Sequence, residues 1–319
     1  MKCDRCGRDA VHYAAYSGAH LCEDHLQQSV ERRVRRRIRA DDLLPRDATP
    51  ADPVTWLIGL SGGKDSAVLT HILSDTFGQD PRVELVAISV HEGIEGYRDE
   101  SLSAAEALVA DRLVEYVETG YESKFDLQMD DIVEDDPWEM APCAYCGVLR
   151  RDVLAEAARE YDADVLLTGH NLDDEAETAL MNVLEGDIDQ MAQQYDASLA
   201  PLSARQDGEA FVPRAKPLRE VPESEVALYA RTAGIPAHIA ECPYASESFR
   251  GTVRDILLAL EDEHPGTRHS IMAGYEETAR LAAENRRHGE TGPSGVCENC
   301  GAPTDRAVCR ACELRTALE

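Results

Sequence analysis

Apolar runs alternate with amphipathic segments over the central part of the chain. Short runs rich in Val, Ile and Leu predict buried strands, and the amphipathic segments between them predict helices. Strands are predicted at 54–60, 83–90, 114–118 and 164–168, and helices at 67–73, 101–113, 147–161 and 174–184. This alternation predicts right-handed crossovers and an α/β fold with a doubly wound parallel sheet. Ligands of such sheets bind at the carboxyl ends of the strands.

An amphipathic helical pattern precedes the sheet region, at 26–40. Apolar residues recur at steps of four, and six arginines surround them, at positions 32, 33, 35, 36, 37 and 39. Glu31 is the only acid between 27 and 40, so we expect these arginines to contact RNA phosphates. The alternative is a solvated helix paired with local acids. A linker with several prolines follows at 41–52.

The part of the sequence beyond Gly186 is less regular. It is polar at first and then predicts helices at 222–232 and 251–261, the second being the last helical region that we expect. The chain is thereby divided into an N-terminal metal module at 1–27, the basic helix and linker at 28–52, the sheet domain at 53–240, a helical segment at 241–290 and a C-terminal metal module at 291–319.

The charge balance qualifies the expectation of RNA binding. The chain has 32 basic and 61 acidic residues, and 32 − 61 gives a net charge of −29. The acids are spread along the chain, which is typical of halophilic proteins. In molar salt the screening length falls to about 3 Å, so repulsion of RNA would matter little. An acidic interaction protein is the alternative.

The start of the chain and its cysteines indicate the compartment. It opens with Met1-Lys-Cys-Asp-Arg-Cys6, unlike a signal peptide, and contains no apolar run of about 18 residues. We therefore expect a cytoplasmic protein that does not bind membranes. In a reducing compartment, the ten cysteines point to metal binding and away from disulfides.

Seven cysteines and one histidine form two four-ligand patterns. The ligands are Cys3, Cys6, Cys22 and His25 in the N-terminal pattern, and Cys297, Cys300, Cys309 and Cys312 in the C-terminal pattern. The first has the spacing of a Cys₃His zinc hairpin, and the second that of a Cys₄ zinc ribbon. Because four protein ligands close the coordination sphere of zinc, both sites are predicted to be structural.

The segment Ser61–Ser66, with the sequence Ser-Gly-Gly-Lys-Asp-Ser, lies between a predicted strand and a predicted helix. Gly62 and Gly63 allow the backbone to approach a phosphate, and the helix-start amides, two hydroxyls and Lys64 could bind its oxygens. The segment is not a Walker A motif, because Asp65 follows the lysine where Ser or Thr is required. An acid there suits Mg²⁺ and pyrophosphate. A simple glycine turn is the alternative.

A second polar segment, Gly169–Thr178, follows the strand at 164–168. Asp173 and Asp174 open the next helix, so one is expected to cap it and the other to hold Mg²⁺ or to act on the base being activated. His170 is a candidate donor to the nucleotide, and a histidine that merely satisfies strand-end amides is the alternative. Gly169 and His170 are assigned to the nucleotide site.

Three cysteines remain, Cys143, Cys146 and Cys242. The first two lie just before a predicted helix, whose amides and dipole favour thiolates. Three thiolates suit a [4Fe-4S] cluster with one open iron, a disulfide or persulfide couple, or a zinc ion. A plainer alternative makes Cys242 a buried core residue. We expect the three to converge beside the Ser61–Ser66 loop, because loops from distant strand ends meet at one edge of a doubly wound sheet.

Together these motifs resemble the archaeal and eukaryotic tRNA 2-thiouridine synthetases of the PP-loop type. The resemblance spans nearly the whole chain. Its segments are the Ser61–Ser66 loop, Glu92-Gly-Ile with Tyr97-Arg-Asp99, Cys143-x-x-Cys146-Gly, Gly169–Ala176, Lys216–Glu220, Glu241–Tyr244 and the two terminal modules. It implies a PP-loop ATP-pyrophosphatase fold and adenylation of a tRNA uridine at its 2-oxygen, which sulfur then replaces.

The resemblance also implies cofactors, partners and residue roles. ATP and Mg²⁺ would bind at the Ser61–Ser66 loop, a [4Fe-4S] cluster at the three cysteines 143, 146 and 242, and Asp173 would lie near the chemistry. Arg150, counted with the catalytic residues, stands where relatives can carry lysine. The expected partners are tRNA, a ubiquitin-like thiocarboxylate protein as sulfur donor, and a second copy of the chain.

Two alternatives to thiolation of the anticodon wobble uridine stay open. Thiolation of a T-loop uridine or an anticodon-loop cytidine would use the same ATP motifs, although a splayed single-stranded base is the more accessible substrate. A different class is a zinc-dependent RNA-binding protein with a degenerate nucleotide pocket. The intact Ser61, Asp65 and Ser66 speak against that class.

Overall fold

The computed structural model describes residues 1–202, 212–240, 242–244, 249–288, 295–301, 303–304 and 306–318. The predicted motif position Glu241 and parts of the segments 241–290 and 291–319 lie outside these ranges. Within the described ranges, no helix combines the length and apolar character needed to cross a membrane.

The described helices and strands follow one another in this order. They are β1 (His12–Ala14), β2 (Ala19–Leu21), α1 (Glu23–Ala40), β3 (Val54–Gly59), α2 (Lys64–Phe77), β4 (Val83–His91), α3 (Arg98–Val109), β5 (Glu115–Gly120), α4 (Tyr121–Phe125), α5 (Met129–Asp135), α6 (Pro142–Glu160), β6 (Val165–Thr168), α7 (Leu172–Glu185), α8 (Ile188–Gln194), β7 (Arg214–Ala215), α9 (Glu223–Thr232), α10 (Phe249–Glu263), α11 (Thr267–His288), β8 (Gly295–Val296), β9 (Pro303–Thr304) and α12 (Arg310–Leu318). A short π-helical turn, Tyr195–Leu199, follows α8.

The described strands β3 to β7 form a five-stranded sheet in the order β5-β4-β3-β6-β7, and all its pairings are parallel. The sheet confirms the predicted doubly wound α/β fold. The winding direction reverses between β3 and β6, whose ends are in register at Gly59 and Thr168. Such a switch point opens a crevice at the carboxyl ends of the two strands. The Ser61–Ser66 loop and the segment after β6 therefore lie side by side.

The core covers both faces of β3. Trp56, Leu57 and Ile58 are fully buried, as expected for a central strand of a parallel sheet. One face packs against α2 and α9, and the other against α6. Val34 and Ile38 of α1 join the first of these clusters. The basic helix thus packs into the body of the domain, although its sequence suggested a separate region.

Several element boundaries differ from the predictions. α2 begins at Lys64 and α6 at Pro142, three and five positions earlier than expected. The early start of α6 is possible because a proline is well tolerated in the first helical turn. The prediction that 251–261 is the last helical region was wrong, since α11 and α12 follow it. The buried stripe of α11 includes Ala279 and Ala283, whose small side chains give a weak periodic signal.

The arginines of α1 have more ion partners than the sequence suggested. Arg33 forms a buried ion pair with Glu225, and Arg36 pairs with Glu220. Arg37 donates from Nε to Asp41 at 2.8 Å. Arg33 and Arg36 are paired because distant acids reach the helix through the fold, and Arg37 because Asp41 lies directly after the helix.

Candidate active site and metal centres

The loop between β3 and α2 requires glycine at two contacts. Gly62 has φ = +79°, and a Cβ there would lie 1.9 Å from the carbonyl oxygen of Ser101. Gly169, which follows β6, would place a Cβ 2.7 Å from the amide nitrogen of Ser66. Gly62 thus lets the loop approach α3, and Gly169 lets the backbones of the two strand-end loops touch. The predicted nucleotide-binding segments are brought together at the switch point.

Hydroxyl groups organise the loop from within. The Oγ of Ser66 accepts from the amide of Ser61 at 3.1 Å and donates to the carbonyl of Gly63 at 3.0 Å. The two serine Oγ atoms are 3.0 Å apart. Gly63 caps α2 without a side-chain acceptor, so the first amides of the helix are available to an anion. This arrangement suits a phosphate.

The acid of the loop contacts both the lysine beside it and the second segment. Asp65 accepts from Lys64 Nζ at 3.0 Å and from the Asn171 side-chain amide at 3.0 Å. Lys64 Nζ also contacts Glu223 at 2.7 Å. Burial opposes the charge of Lys64, but Asp65 and Glu223 more than offset it and raise the pKa of the lysine. The lysine stays charged where a phosphate would bind.

The N-cap of α7 differs from the one expected. Asn171, and neither aspartate, is the N-cap, and it accepts from the amides of Asp173 and Asp174. Asp173 is held at 2.9 Å by Arg268 and accepts from the amide of Glu223 at 2.8 Å. Its carboxylate is thus used in packing α7 against the elements beside it.

Asp174 is the α7 acid that interacts with the loop. Burial and the nearby charges of Asp65 and Glu177 raise its pKa to about 7, although a hydrogen bond from the Asn171 amide opposes this. A cation bound between the two carboxylates would reduce the repulsion between them. The oxygen donors of Asp65 and Asp174 therefore fit Mg²⁺.

His170 lies at the edge of the same crevice. Its Nδ1 lies 2.9 Å from Thr168 Oγ1. Loss of hydration and the nearby Lys216 cation lower the pKa of the ring to about 4. The imidazole is therefore neutral at pH 7 and can act as a hydrogen-bonding group. This contact is with a side-chain hydroxyl and not with a strand-end amide, and the nucleotide role of His170 stays a prediction.

A cavity of about 320 Å³ joins the loop to the three remaining cysteines. Ser61 and Gly63 line it from the loop, and Cys143, Cys146 and Cys242 line it from the other elements. The structure thus brings together the residues that the sequence analysis expected to converge. A ligand of nucleobase size could contact the loop and the thiols in the same cavity.

The three cysteines differ in their surroundings. Cys143 and Cys146 lie in the first turns of α6, not before the helix as expected, and remain close to its N-terminal amides. Cys143 Sγ lies 3.5 Å from the carbonyl oxygen of Tyr244. Cys146 Sγ accepts from Arg150 Nη2 at 3.0 Å. Burial, together with the other two sulfur atoms, raises the pKa of Cys242.

A buried carboxylate connects the cysteine side of the cavity to the loop. Glu92 is 2% exposed and contacts Arg98 Nε at 2.5 Å and Arg150 Nη2 at 2.8 Å. Arg98 in turn donates to the carbonyl of Ser61 at 3.1 Å, and Arg150 donates to Cys146. Glu92 and Arg98 belong to two of the resembling segments, but no role was predicted for either residue. The sequence signal for a role of Glu92 was an acidic residue directly after an apolar strand.

Both terminal four-ligand sets fit zinc. Within each set the donor atoms all lie within 4.8 Å of one another. The Cys6–Cys22 sulfur distance is 3.7 Å, and the Cys300–Cys309 distance is 3.6 Å. A tetrahedral ion with Zn–S bonds of about 2.3 Å holds sulfur atoms about 3.8 Å apart. The side chains are therefore spaced as a single zinc ion requires.

The three cysteines of the cavity are spaced differently. Among the described residues, only the two terminal sets form groups of three or more such donors that all lie within 4.8 Å of one another. Thiolates bound to separate irons of a [4Fe-4S] cluster stand farther apart than ligands of one ion. The three cavity thiols, with Arg150 as a counter-charge at Cys146, are a donor set whose chemistry suits a [4Fe-4S] cluster.

The fold and this site are those of the class of PP-loop proteins. The PP-loop domain family matches residues 27–260, and the N-terminal LIM domain of the 2-thiouridine synthetase TtuA matches residues 2–27. The chain belongs, within that class, to the family of tRNA 2-thiolation proteins. The first match begins at the basic helix, which agrees with the packing of α1 into the core.

Relatives with this family name cover nearly the full chain. The tRNA 2-thiolation protein NcsA of Haloferax volcanii is 60% identical over 319 residues, covering 100% of this chain and 99% of the relative. The cytoplasmic tRNA 2-thiolation protein 1 of Bos taurus is 37% identical over 308 residues, covering 95% and 83%. A solved structure, the U34-tRNA thiolase NcsA from Methanococcus maripaludis with its [4Fe-4S] cluster, is 36% identical with a TM-score of 0.82, covering 100% of this chain and 96% of that one.

Proposed function

We propose that the protein replaces the 2-oxygen of a tRNA uridine with sulfur and cleaves ATP to AMP and pyrophosphate in doing so. As a member of the tRNA 2-thiolation family, the chain is a tRNA sulfurtransferase. The observation that carries the proposal is the cavity lined by both the phosphate-binding loop and the three cysteines. A base activated at the loop would already lie beside the thiols.

The first step activates a poor leaving group. The uridine O2 attacks the α-phosphorus of ATP, the bond from that phosphorus to the bridging oxygen breaks, and pyrophosphate leaves while the N3 proton of the base passes to solvent water. The amides at the start of α2 and Lys64 would stabilise the charge on the phosphates. Asp65 and Asp174 would hold Mg²⁺, which neutralises the departing pyrophosphate.

The second step places sulfur on C2. Sulfide attacks C2, and the bond from C2 to the adenylated oxygen breaks with AMP as the leaving group. Cys143, Cys146 and Cys242 would hold a [4Fe-4S] cluster, which when bound supplies one iron without a protein ligand as a site for sulfide. Arg150 partly neutralises the negative charge of the thiolates, and Glu92 keeps its guanidinium in place.

We extend the proposal to the substrate position and the sulfur donor. The wobble uridine is supported by the solved neighbour, which is named a U34-tRNA thiolase. A ubiquitin-like thiocarboxylate protein is a suitable donor because it delivers sulfur at the oxidation level of sulfide, so no cavity cysteine has to form a persulfide. The cytoplasm is the proposed compartment, supported by relatives named cytoplasmic. A homodimer stays a prediction.

Analysis of tRNA nucleosides tests the function. In a strain lacking the gene, 2-thiouridine at the wobble position should disappear and return with the wild-type gene, but not with Asp65→Ala. Asp47→Ala, a change of an exposed aspartate outside the site, is the matched control and should restore it. Loss of a thiolated base at another position would reassign the substrate. If purified protein released ADP and phosphate with tRNA, the adenylation step would be refuted.

A further inference from the structure

The C-terminal module packs against the helix that carries two of the cavity cysteines. Leu314 of α12 is fully buried in one apolar cluster with Tyr145, Leu149 and Val153 of α6. Val148, between them on α6, packs against the cluster formed by the metal-binding cysteines of the module. The module and the first turns of α6 therefore share one continuous packing surface.

Cations of α12 extend this contact to the segment before α6. The guanidinium of Arg310 lies 3.9 Å from the ring centroid of Trp138, and its Nη2 lies 3.7 Å from Met140 Sδ. Arg315 lies 5.0 Å from the ring centroid of Phe125. A cation over an aromatic face contributes about 0.5 to 2 kcal/mol, depending on its burial.

The segment before α6, whose Trp138 and Met140 contact Arg310, is tied to the start of that helix. The hydroxyl of Tyr145 accepts from the Trp138 amide at 2.8 Å and donates to Asp136 at 2.7 Å. Asp136 also accepts from the Met140 amide at 3.0 Å. Because Tyr145 lies between Cys143 and Cys146 in sequence, a shift of this segment would move both thiols.

The N-terminal module has a different position. Tyr16 donates to Glu225 of α9 at 2.8 Å and accepts from Arg33 of α1 at 3.1 Å. Its ring also packs against His269 of α11 at a centroid distance of 4.5 Å. These contacts lie on elements that do not carry the cavity cysteines. The two modules share a ligand chemistry but support different parts of the domain.

We propose that the C-terminal module is a positioning element for Cys143 and Cys146, acting through Leu314 and Arg310. The four cysteines of the module fit a zinc ion that would fold it, and the folded module holds residues 136–149 against the body. The proposal rests on the proposed function only in treating the cysteine cavity as the site of sulfur transfer. It assigns the module a task beyond its own folding.

Hydrogen–deuterium exchange on the full-length protein tests this local role. Arg310→Ala and Leu314→Ala should accelerate amide exchange in peptides covering 136–149, by about tenfold or more for the leucine change, since it removes a fully buried side chain. Peptides covering β3 and the Ser61–Ser66 loop should be unaffected. Arg306→Ala, an exposed arginine of the same module that pairs with Glu313, is the control for charge. Leu26→Ala, equally buried beside the N-terminal module, is the control for a lost core side chain.

Iron content and visible absorption of anaerobically purified protein give a second readout. Both α12 variants should retain less iron than the two controls, while their zinc content stays equal to that of wild type. Faster exchange spread over all peptides, or unchanged exchange at 136–149 in both α12 variants, would overturn the proposal. If even the wild type lacked iron and thiolation activity while the local exchange effect persisted, the proposed function would fail and the positioning role would stand.

Discussion

At the residue scale, Glu92 is the side chain on which two parts of the site depend. Its carboxylate lies between the guanidinium groups of Arg98 and Arg150, two residues that line the cavity. Removing the carboxylate would leave the buried Arg98 without its ion partner, and the half-exposed Arg150 would lose the same carboxylate. Breaking such a buried arrangement costs about 3 to 5 kcal/mol.

We therefore expect Glu92→Ala to lower the free energy of unfolding by about 3 to 5 kcal/mol in urea titrations. Glu92→Gln keeps the shape of the side chain and should mainly lower thiolation, because Arg150 loses the anion that holds it on Cys146. Glu95→Gln, three positions away and exposed, is the control. If Glu92→Gln and wild type thiolated tRNA equally, Glu92 would have no role in the reaction.

We expect opposite results from substitutions of the two aspartates of α7. Asp174→Asn should reduce Mg²⁺-dependent release of AMP and pyrophosphate by at least about tenfold, because one of two expected metal-binding carboxylates is lost. Asp173→Asn should mainly lower stability, since its carboxylate already contacts Arg268 and the Glu223 amide. Steady-state pyrophosphate release across a Mg²⁺ titration separates the two. The reverse ranking of the variants would support the sequence prediction that Asp173 is the acid of the reaction.

At the scale of elements, α1 is attached to α9 by a buried ion pair. Arg33 of α1 is 9% exposed at its side chain, and Glu225 of α9 is fully buried. Burial alone would raise the pKa of the Glu225 carboxyl, but His12, Arg33 and Tyr16 more than offset it, so the pKa is lowered. A carboxyl group whose pKa is lower in the folded state stabilises the fold above its unfolded pKa and loses this effect as the pH falls.

Glu225→Gln should therefore destabilise the protein at pH 7 by about 3 to 5 kcal/mol. The same variant should lose less stability than wild type between pH 7 and pH 4, because one titrating group is gone. Urea midpoints at several pH values measure both effects. Glu223→Gln, on the same helix with a half-exposed side chain, is the control. Parallel pH profiles of stability for Glu225→Gln and wild type would contradict the lowered pKa of Glu225 in the folded protein.

The other face of α1 is available for RNA. Arg32, Arg36 and Arg39 are exposed and recur at the spacing of one helix face, although Arg36 also contacts Glu220. Arg32→Ala with Arg39→Ala should weaken binding of all tRNAs alike. The log–log salt slope should fall by about 0.7 per lost phosphate contact if the bound region is single-stranded. Arg37→Ala, whose partner is Asp41, should change stability and leave the slope unchanged.

At the scale of the whole molecule, the net charge of −29 governs behaviour in salt. The repulsion among the acids is nearly unscreened at 0.01 M salt, where the Debye length is about 30 Å, and is screened at 1 M, where it is about 3 Å. We expect the thermal midpoint to rise with KCl over this range, as measured by circular dichroism. A thermal midpoint that falls or stays constant would contradict the halophilic interpretation of the composition.

The sequence by itself determined the features that depend on short spacings. The two four-ligand sets, the Gly62–Gly63 turn and the alternation that defines the parallel sheet are encoded within a few residues, and the structure brings each of them together as expected. The fold class and the family were confirmed for this reason. The roles of the individual site residues stay predictions, because the spacing of residues in a motif does not show which acidic side chain contacts a ligand.

Only the tertiary structure decided which charged groups meet. Arg33 and Glu225 are 192 positions apart, and no local pattern links them. Packing of α7 against neighbouring elements turned Asp173 toward Arg268 and left Asp174 beside Asp65. Glu92 became a link between the loop and the cysteines because β4 ends between them. Buried charges need partners wherever the fold places them, and that placement follows from the packing of the whole chain.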